Sequence, residues 1–190
     1  MTSRPSRSLA SAPSIVRIER LAHDAPEALF AALTVMLHRA YRPQVEMGLR
    51  PLAGRQDVGT TRARCLSGET YVAFVGEERD PAGMILFQEI EEASFPAWFL
   101  RPEVSHFSLF AVDPIQQRHG IGGRLLQRIE RRCVEIGKTE LALSMAEPDT
   151  RLLDYYQRRG YRLIQHWQWP YTNYRSAIMS RAVTLESGGG

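Results

Sequence analysis

The sequence predicts a mixed α/β fold, one sheet with helices packed on it, over residues 14–183. Short segments rich in β-branched and aromatic residues alternate with longer segments whose apolar residues recur every three or four positions. The 190 residues fit one domain, and an apolar share of 44% is typical of a globular protein with a single core. The sequence contains no internal repeat, so these strands and helices belong to one mixed fold.

The sequence of the first half of this domain predicts a strand, two helices and a β-hairpin. The helix at 26–38 carries apolar residues at helical spacing, and Asp24 before it is the expected N-cap. A turn at 80–83 joins the two strands of the hairpin. In chain order, we predict a strand at 14–19, a helix at 26–38, an irregular loop at 41–56, a short helix at 57–66 and hairpin strands at 70–75 and 84–90.

The second half predicts two further helices that alternate with strands. One apolar stripe runs along the helix at 122–136, which Gly137 ends. Asp149 is the expected N-cap of the last helix. After the hairpin, we predict a long connection at 91–105, a strand at 106–112, a helix at 122–136, a strand at 140–144, a helix at 150–159 and strands at 161–169 and 175–183.

Composition and charge exclude several functional classes. The net charge of +3 comes from scattered arginines, which does not predict nucleic-acid binding. Cys65 and Cys133 lie far apart, without the spacing of a metal site, so we expect two buried thiols, no bound metal and a cytoplasmic protein. No apolar run approaches the roughly 20 residues that a membrane span needs, so no membrane partner is expected.

Both ends of the chain lie outside the predicted domain. Residues 1–13 are rich in Ser and Arg and lack acidic residues, as a transit peptide does, but Pro5 and Pro13 interrupt any amphipathic helix. We therefore expect a disordered N-terminal extension. Residues 184–190 close with three glycines and are expected to form a flexible end.

A glycine-rich segment at the start of the helix at 122–136 predicts an anion-binding site. Gly120, Gly122 and Gly123 let backbone N–H groups approach a ligand, and a helix N-terminus offers unpaired donors and partial positive charge. A turn without any ligand could have the same composition. A nucleotide P-loop is excluded because Arg124 follows the glycines in place of Lys-Ser/Thr, and the third spaced glycine of a dinucleotide site is missing.

Two motifs resemble those of the GNAT family of N-acetyltransferases. Gln-Arg-His-Gly-Ile-Gly at 117–122 fits the family signature Gln/Arg-x-x-Gly-x-Gly/Ala, which lies between its fourth strand and third helix. Tyr-Tyr-Gln-Arg-Arg-Gly-Tyr at 155–161 resembles the family's second signature, with one strand between the two motifs. The resemblance spans residues 14–183. It implies the GNAT fold, a mixed, mostly antiparallel sheet of six or seven strands with about four flanking helices, splayed between strands 4 and 5.

The resemblance implies that acetyl-coenzyme A (acetyl-CoA) is the cofactor. Backbone amides of the glycine segment would hold the pyrophosphate, and the end of the preceding strand would pair with the pantetheine arm and direct one N–H at the thioester carbonyl. The family commonly has Asn where this chain has Asp149, which cannot donate an amide hydrogen to the pantetheine. The residues implied in cofactor binding are Phe110, Ala111, Val112, Gln117, Arg118, His119, Gly120, Ile121, Gly122, Gly123, Arg124 and Asp149.

The resemblance also implies a general acid. Tyr156 stands four residues before Gly160, where the family places a tyrosine that protonates the departing thiolate. Its neighbour Tyr155 is expected to lie in the core. The structural alternative for Tyr156 is an aromatic ring that only packs one face of the helix.

The general base is less defined. His106 occupies a position at which the family often has glutamate, and strand alternation predicts that it shares one face with Ser108, Phe110 and Val112. A histidine that is satisfied by packing alone is the alternative. Glu89 on the neighbouring hairpin strand is the second candidate, and many relatives deprotonate the amine through ordered water.

The resemblance places the acceptor between the loop after the first helix, the connection at 91–105 and the last two strands. Aromatic rings and carboxylates in these segments would suit a cationic or amphipathic amine. Ordinary core and surface roles are the alternative for each residue. The expected acceptor-site residues are Tyr41, Glu46, Trp98 and Trp167, with Phe99, Glu103 and Trp169 as further members.

The implied reaction is transfer of an acetyl group from acetyl-CoA to the primary amine of a small molecule, by direct attack in a ternary complex. Two alternatives stay open: acetylation of protein N-termini or lysines, and a non-catalytic acyl-CoA sensor. A closed acceptor pocket would favour a small molecule, whereas an open groove would favour a protein. Dimers occur often among similar proteins, so a homodimer is a further expectation.

Overall fold

The computed structural model describes residues 15–89 and 92–184. The expected N-terminal extension at 1–13 lies outside the described residues, as do residues 185–190 of the expected flexible end. Ile90 and Glu91, at the junction of the predicted hairpin and the long connection, also lie outside them.

Seven strands form one sheet in the order β1-β2-β3-β4-β5-β7-β6. The pair β4–β5 is parallel, and the other five neighbouring pairs are antiparallel. This mixed, mostly antiparallel sheet confirms the predicted fold class. The strands are β1 (Val16–Arg20), β2 (Glu69–Val75), β3 (Gly83–Gln88), β4 (Val104–Val112), β5 (Glu140–Ala146), β6 (Arg162–Trp167) and β7 (Ser176–Ala182).

Four α-helices cover the two faces of the sheet. They are α1 (Glu27–Glu46), α2 (Val58–Cys65), α3 (Ile121–Glu135) and α4 (Thr150–Gln157), and short 3-10 turns lie at Leu52–Gly54, Ala97–Leu100 and Pro114–Gln116. Residues of α1 and α2 share one apolar cluster with β2, β3 and β4, whereas α3 and α4 share another with the same sheet. The core therefore has two layers, one on each face.

The first helix is longer than predicted. It begins at Glu27 with Pro26 as its N-cap, so the predicted cap Asp24 is wrong, and it continues to Glu46 through part of the predicted loop at 41–56. Pro43 removes one backbone donor, but the helix persists because Gln44 is buried and hydrogen-bonds Asp149. Tertiary contact here overrides a local helix-breaking signal.

The parallel pair β4–β5 is short, and this opens the sheet. Val104–Phe107 of β4 pair with Glu140–Leu143 of β5, and the two strands have no further pairs among the described residues. The remaining parts, 108–112 of β4 and 144–146 of β5, leave a gap between them. The predicted splay between strands 4 and 5 is thus present.

The structure bears on the predictions about the two cysteines and about membrane spans. Cys65 and Cys133 are free thiols and both are buried, as predicted. Burial raises the pKa of each thiol to about 11, so both stay protonated at neutral pH. Within the described part of the chain, no helix has the length and apolar character needed to cross a bilayer.

Candidate functional site

A cavity of about 860 Å³ occupies the gap between β4 and β5. The free ends of both strands line it, together with the segment before α3 and parts of α1 and α4. Its charged lining consists of four arginines and one carboxylate, Asp149, if His106 is counted as neutral. The cavity is therefore electropositive and suits a polyanionic ligand.

The glycine segment forms one end of this cavity. Gly120 is the N-cap of α3 with φ +76, and Arg118 also has a positive φ of +68. The backbone N–H groups of residues 117–123 donate to no other described residue, and the first helical bond runs from Arg124 N to Gly120 O. Seven consecutive free donors at a helix N-terminus make an anion cradle.

The space around the cradle fits a diphosphate. A Cβ added at Gly120 or Gly123 would meet nothing within 4 Å, so both positions face open space. A Cβ at Gly122 would approach Phe110 Cζ to 3.3 Å, so this glycine keeps the helix close to β4. The free N–H groups, the positive charge of Arg118 and this room match what the pyrophosphate of coenzyme A needs.

A β-bulge in β4 corrects the predicted alternation of this strand. Leu109 has φ +48, and the register with β3 shifts there, because Ala111 pairs with Met84 but Ser108 pairs with Leu86. Phe110 and Val112 therefore lie on the α3–α4 face and not on the face of His106. The sequence predicted a shared face, and the extra residue of the bulge makes this wrong.

His106 is buried on the opposite face and lines the cavity. Its ring stacks on Phe99 with centroids 4.4 Å apart, and Phe95 approaches its edge. Burial, with a smaller contribution from the charge of Arg64, lowers the pKa of His106 to about 3. His106 is thus a neutral imidazole at physiological pH and a weak base. Its buried Nδ1 has no partner among the described residues.

Tyr156 lines the cavity. It is only 4% exposed, whereas Tyr155, which was expected in the core, is half-buried. Aromatic contacts with Phe107 and Tyr161 hold the Tyr156 ring. Burial raises the pKa of Tyr156 well above its ordinary value, so the group is a protonated phenol that can donate a hydrogen.

Asp149 lines the cavity and caps α4. Its Oδ1 accepts from Leu152 N at 3.1 Å, as the predicted N-cap requires. Its Oδ2 accepts from Gln44 Nε2 at 3.1 Å, which ties α4 to α1 across the cavity. Both carboxylate oxygens are therefore already engaged within the protein.

The structure does not bring all the predicted cofactor and base residues into the cavity wall. His119 and Arg124 are exposed and do not line it. Glu89 is exposed and forms an ion pair with Lys138 at 2.8 Å, away from the cavity. The remaining predicted cofactor residues line the cavity: Phe110, Ala111, Val112, Gln117, Arg118, Gly120, Ile121, Gly122, Gly123 and Asp149.

The other end of the cavity, which we call the acceptor end after the role that the family resemblance implies, has a different lining from the one predicted. Tyr41 and Trp169 line it, whereas Glu46 is exposed, and Trp98 and Trp167 belong to an apolar cluster outside the lining. Sequence reasoning missed Arg64, Tyr171, Tyr174, Ser67 and Gln88, which also line the cavity. The aromatic run at 167–174 was a usable signal for the two tyrosines, but nothing local marks Arg64.

Hydrogen bonds join two loops that line the acceptor end. Asn173, in the loop between β6 and β7, accepts from Arg50 N at 2.8 Å and donates to Gly48 O at 2.9 Å, in the loop after α1. Arg55 donates to Tyr171 O at 2.7 Å. These three hydrogen bonds join segments more than 100 residues apart, and both loops contribute residues to the cavity wall, so we call the joined pair of loops the roof.

The sequence matches the family model described as the acetyltransferase (GNAT) family over residues 34–161, more than half of the chain. The chain belongs to the GNAT family. This match contains both the glycine-rich motif at 117–122 and the tyrosine motif at 155–161, and it ends at Tyr161. Acetyl-CoA is the cofactor of this family of acetyltransferases, which confirms the predicted cofactor.

Solved structures share the fold at low sequence identity. A Pyrococcus horikoshii protein has a TM-score of 0.68 at 18% identity, covering 90% of this chain and 100% of its own. The ribosomal-protein-S18-alanine N-acetyltransferase of Escherichia coli has a TM-score of 0.62 at 15% identity, and the match covers 93% of this chain and 99% of that enzyme's chain. The protein yncA of Salmonella typhimurium, solved with its cofactor acetyl-CoA, has a TM-score of 0.60 at 15% identity, and the match covers 92% of this chain and 98% of the yncA chain. No curated protein matches the chain in sequence.

Proposed function

We propose that this GNAT protein transfers an acetyl group from acetyl-CoA to the primary amine of a small molecule. One observation carries the proposal: a single cavity connects the anion cradle at 117–123 with a roofed acceptor end, and Tyr156 lies along its wall. A protein substrate would need an open groove for its chain. The roof favours a small acceptor instead.

Two segments of the chain bind the cofactor: the glycine segment at 117–123 and the free edge of β4. Free N–H groups at 117–123 bind the pyrophosphate, and the unpaired edge of β4 at 108–112 offers backbone groups to the pantetheine as a neighbouring strand would. The bulge at Leu109 lies within this unpaired edge. A β4 N–H then donates to the thioester oxygen and stabilises its developing charge.

Acetyl-CoA, when bound, supplies an activated thioester with a thiolate as the leaving group. Tyr156 is a protonated phenol and donates a hydrogen bond to that sulfur; burial makes it a weak acid, so it gives up the proton only as negative charge develops on the departing thiolate. The amine loses its proton to water in the cavity, since the lining carboxylate Asp149 already accepts two hydrogen bonds. His106 is a neutral hydrogen-bond acceptor beside the amine and not a strong base.

The test is a screen of primary amines in which release of free coenzyme A thiol is followed after mixing with acetyl-CoA. We expect at least one small amine to raise thiol release well above the rate without acceptor. Peptides with free N-termini and lysine-containing peptides serve as the comparison. Faster release with peptides than with every small amine would support a protein acetyltransferase and contradict this proposal.

A further inference from the structure

The acceptor end contains an arginine without a carboxylate partner. Arg64, in α2, lines the cavity, and no carboxylate lies within ion-pair distance of it among residues 15–89 and 92–184. The other lining arginines, at 118, 151 and 159, belong to the α3 and α4 side. A partly buried cation with no counter-ion is costly unless a ligand supplies one.

Arg64 is held in place by a chain of buried polar groups. Its Nη1 donates to Gln56 Oε1 at 2.7 Å, and Gln56 Nε2 donates to Thr61 Oγ1 at 2.8 Å. Gln56 is 3% exposed and Thr61 is fully buried. The amide oxygen of Gln56 orients the guanidinium but does not neutralise it. The remaining donors of the guanidinium form no other hydrogen bond with described residues and stay available for a ligand.

Three tyrosines surround the same space. Tyr41, Tyr171 and Tyr174 line the cavity with Arg64, and the charge of Arg64 acts on the pKa of each of them. Burial is the larger effect and raises all three pKa values, so the hydroxyls stay protonated at neutral pH. Protonated phenols can donate hydrogen bonds to an anion.

We propose that the acceptor is an amino acid or a related small amine that carries a carboxylate, and that Arg64 binds this carboxylate while the amine faces the thioester. This inference rests on the proposed function and narrows its substrate class. A single arginine balances one negative charge, which matches a carboxylate better than a phosphate dianion. The planar guanidinium fork also fits two carboxylate oxygens at once.

This assignment differs from the cationic acceptor that the sequence suggested. The carboxylates expected to attract a second positive charge, Glu46 and Glu103, pair with Arg42 and Arg101 instead and do not line the cavity. A polyamine would place positive charge beside Arg64. Like charges in one partly buried pocket repel each other, so such an acceptor is disfavoured.

The experiment compares acceptors that differ in this charge, with rates expressed per neutral amine because amidation also lowers the pKa of an α-amino group. L-leucine, L-phenylalanine and 6-aminohexanoate are each paired with their primary amide, and kcat/KM is measured by thiol release. We expect the carboxylate form to exceed its amide by about 10- to 100-fold for the best pair, as an arginine–carboxylate contact implies. Equal or better turnover of every amide would overturn the inference.

Variants of Arg64 test whether this residue causes the preference for a carboxylate over its amide. In Arg64→Gln the carboxylate preference should disappear while the acetyl-CoA dissociation constant stays unchanged, and Arg64→Lys should retain part of it. Arg62→Gln is the matched control, since Arg62 lies on the same helix, is exposed and does not line the cavity. A preference that survives in Arg64→Gln would also overturn the inference. No thiol release with any acceptor would refute the proposed function itself, and the inference with it.

Discussion

At the scale of single residues, Tyr156 shows how burial can make a side chain useful. Removing the ring from water raises the pKa of its phenol, and the surrounding aromatic rings fix its direction. The hydroxyl forms no hydrogen bond with another described residue, so it is free to meet a ligand in the cavity. The neighbouring Tyr161 hydroxyl is also without a partner but is enclosed in the core.

The change Tyr156→Phe removes this hydroxyl and keeps the ring. Turnover should fall about 10- to 1000-fold, which overlaps the roughly 100- to 10000-fold that a general acid usually contributes, while the acetyl-CoA dissociation constant changes little. Steady-state thiol release with the best amine, together with calorimetric cofactor binding, measures both. Tyr161→Phe is the control and should keep its turnover. Unchanged turnover in Tyr156→Phe would remove this residue from the mechanism.

His106 makes a pH-dependent contribution to stability. Its pKa is about 3 in the folded protein and near the ordinary value of about 6.5 in the unfolded chain, so the unfolded state binds more protons between these values. The contribution is complete above pH 6.5 and is lost as pH falls toward 3. Between pH 7.5 and 5, this group alone should lower the free energy of unfolding by about 2 kcal/mol.

Urea unfolding of the wild type and of His106→Gln at both pH values tests this. The variant should lose less stability on acidification, because glutamine does not titrate. His23→Gln replaces an exposed histidine and should behave like the wild type. Equal acid sensitivity of His106→Gln and the wild type would show that His106 is not protected from protonation.

At the scale of elements, the junction of β4 and α3 is the part of the chain where we propose that the cofactor's phosphates bind. The first turn of α3 has no internal acceptors for its N–H groups, and glycine leaves these groups accessible. Gly123 has ordinary helical geometry and open space beyond its Cα. Charge can therefore be added there without backbone strain.

The change Gly123→Glu should place a carboxylate beside the diphosphate site. Repulsion between the two anions should raise the acetyl-CoA dissociation constant at least about 100-fold, measured by calorimetry. Gly123→Ala adds a methyl group without charge and should stay within a few-fold of the wild type. Similar affinities of the Glu and Ala variants would mean that the cofactor's phosphates lie elsewhere.

At the scale of the whole molecule, the acceptor end is assembled from segments far apart in the chain. α1, α2, β4 and the loop between β6 and β7 each contribute to its wall or roof. Asn173 joins two of these parts through a pair of hydrogen bonds to backbone groups of Arg50 and Gly48. Two of the three hydrogen bonds of the roof thus depend on the Asn173 side chain, and Arg55 supplies the third.

Replacing Asn173 by Ala should loosen this roof. Two hydrogen bonds worth about 1 kcal/mol each would be lost, so we expect the KM of the acceptor to rise about 3- to 10-fold with the acetyl-CoA dissociation constant unchanged. Asn173→Asp retains the acceptor for Arg50 N and should show an intermediate effect. An unchanged acceptor KM in Asn173→Ala would show that the roof does not hold the acceptor.

The sequence by itself determined most elements and the family. Strands and helices depend on periodicity and on local caps such as Asp149, and the cofactor cradle is a local feature of one strand–helix junction. Consecutive residues carry that information, so it can be read along the chain. The same reasoning failed at α1, where burial of Gln44 extends a helix past its predicted end.

Only the tertiary structure decided which face of the sheet His106 lies on, how the two loops of the roof are joined, and which residues line the acceptor end. One extra residue at Leu109 shifts β4 and separates His106 from Phe110, and the apolar run at 109–112 contains no polar residue that would mark which side chains share a face. Arg64 reaches the cavity because α2 packs against α1, which also lines the cavity, and Asn173 meets Arg50 across 123 positions of sequence. Such contacts depend on how distant elements pack together, and no local pattern encodes them.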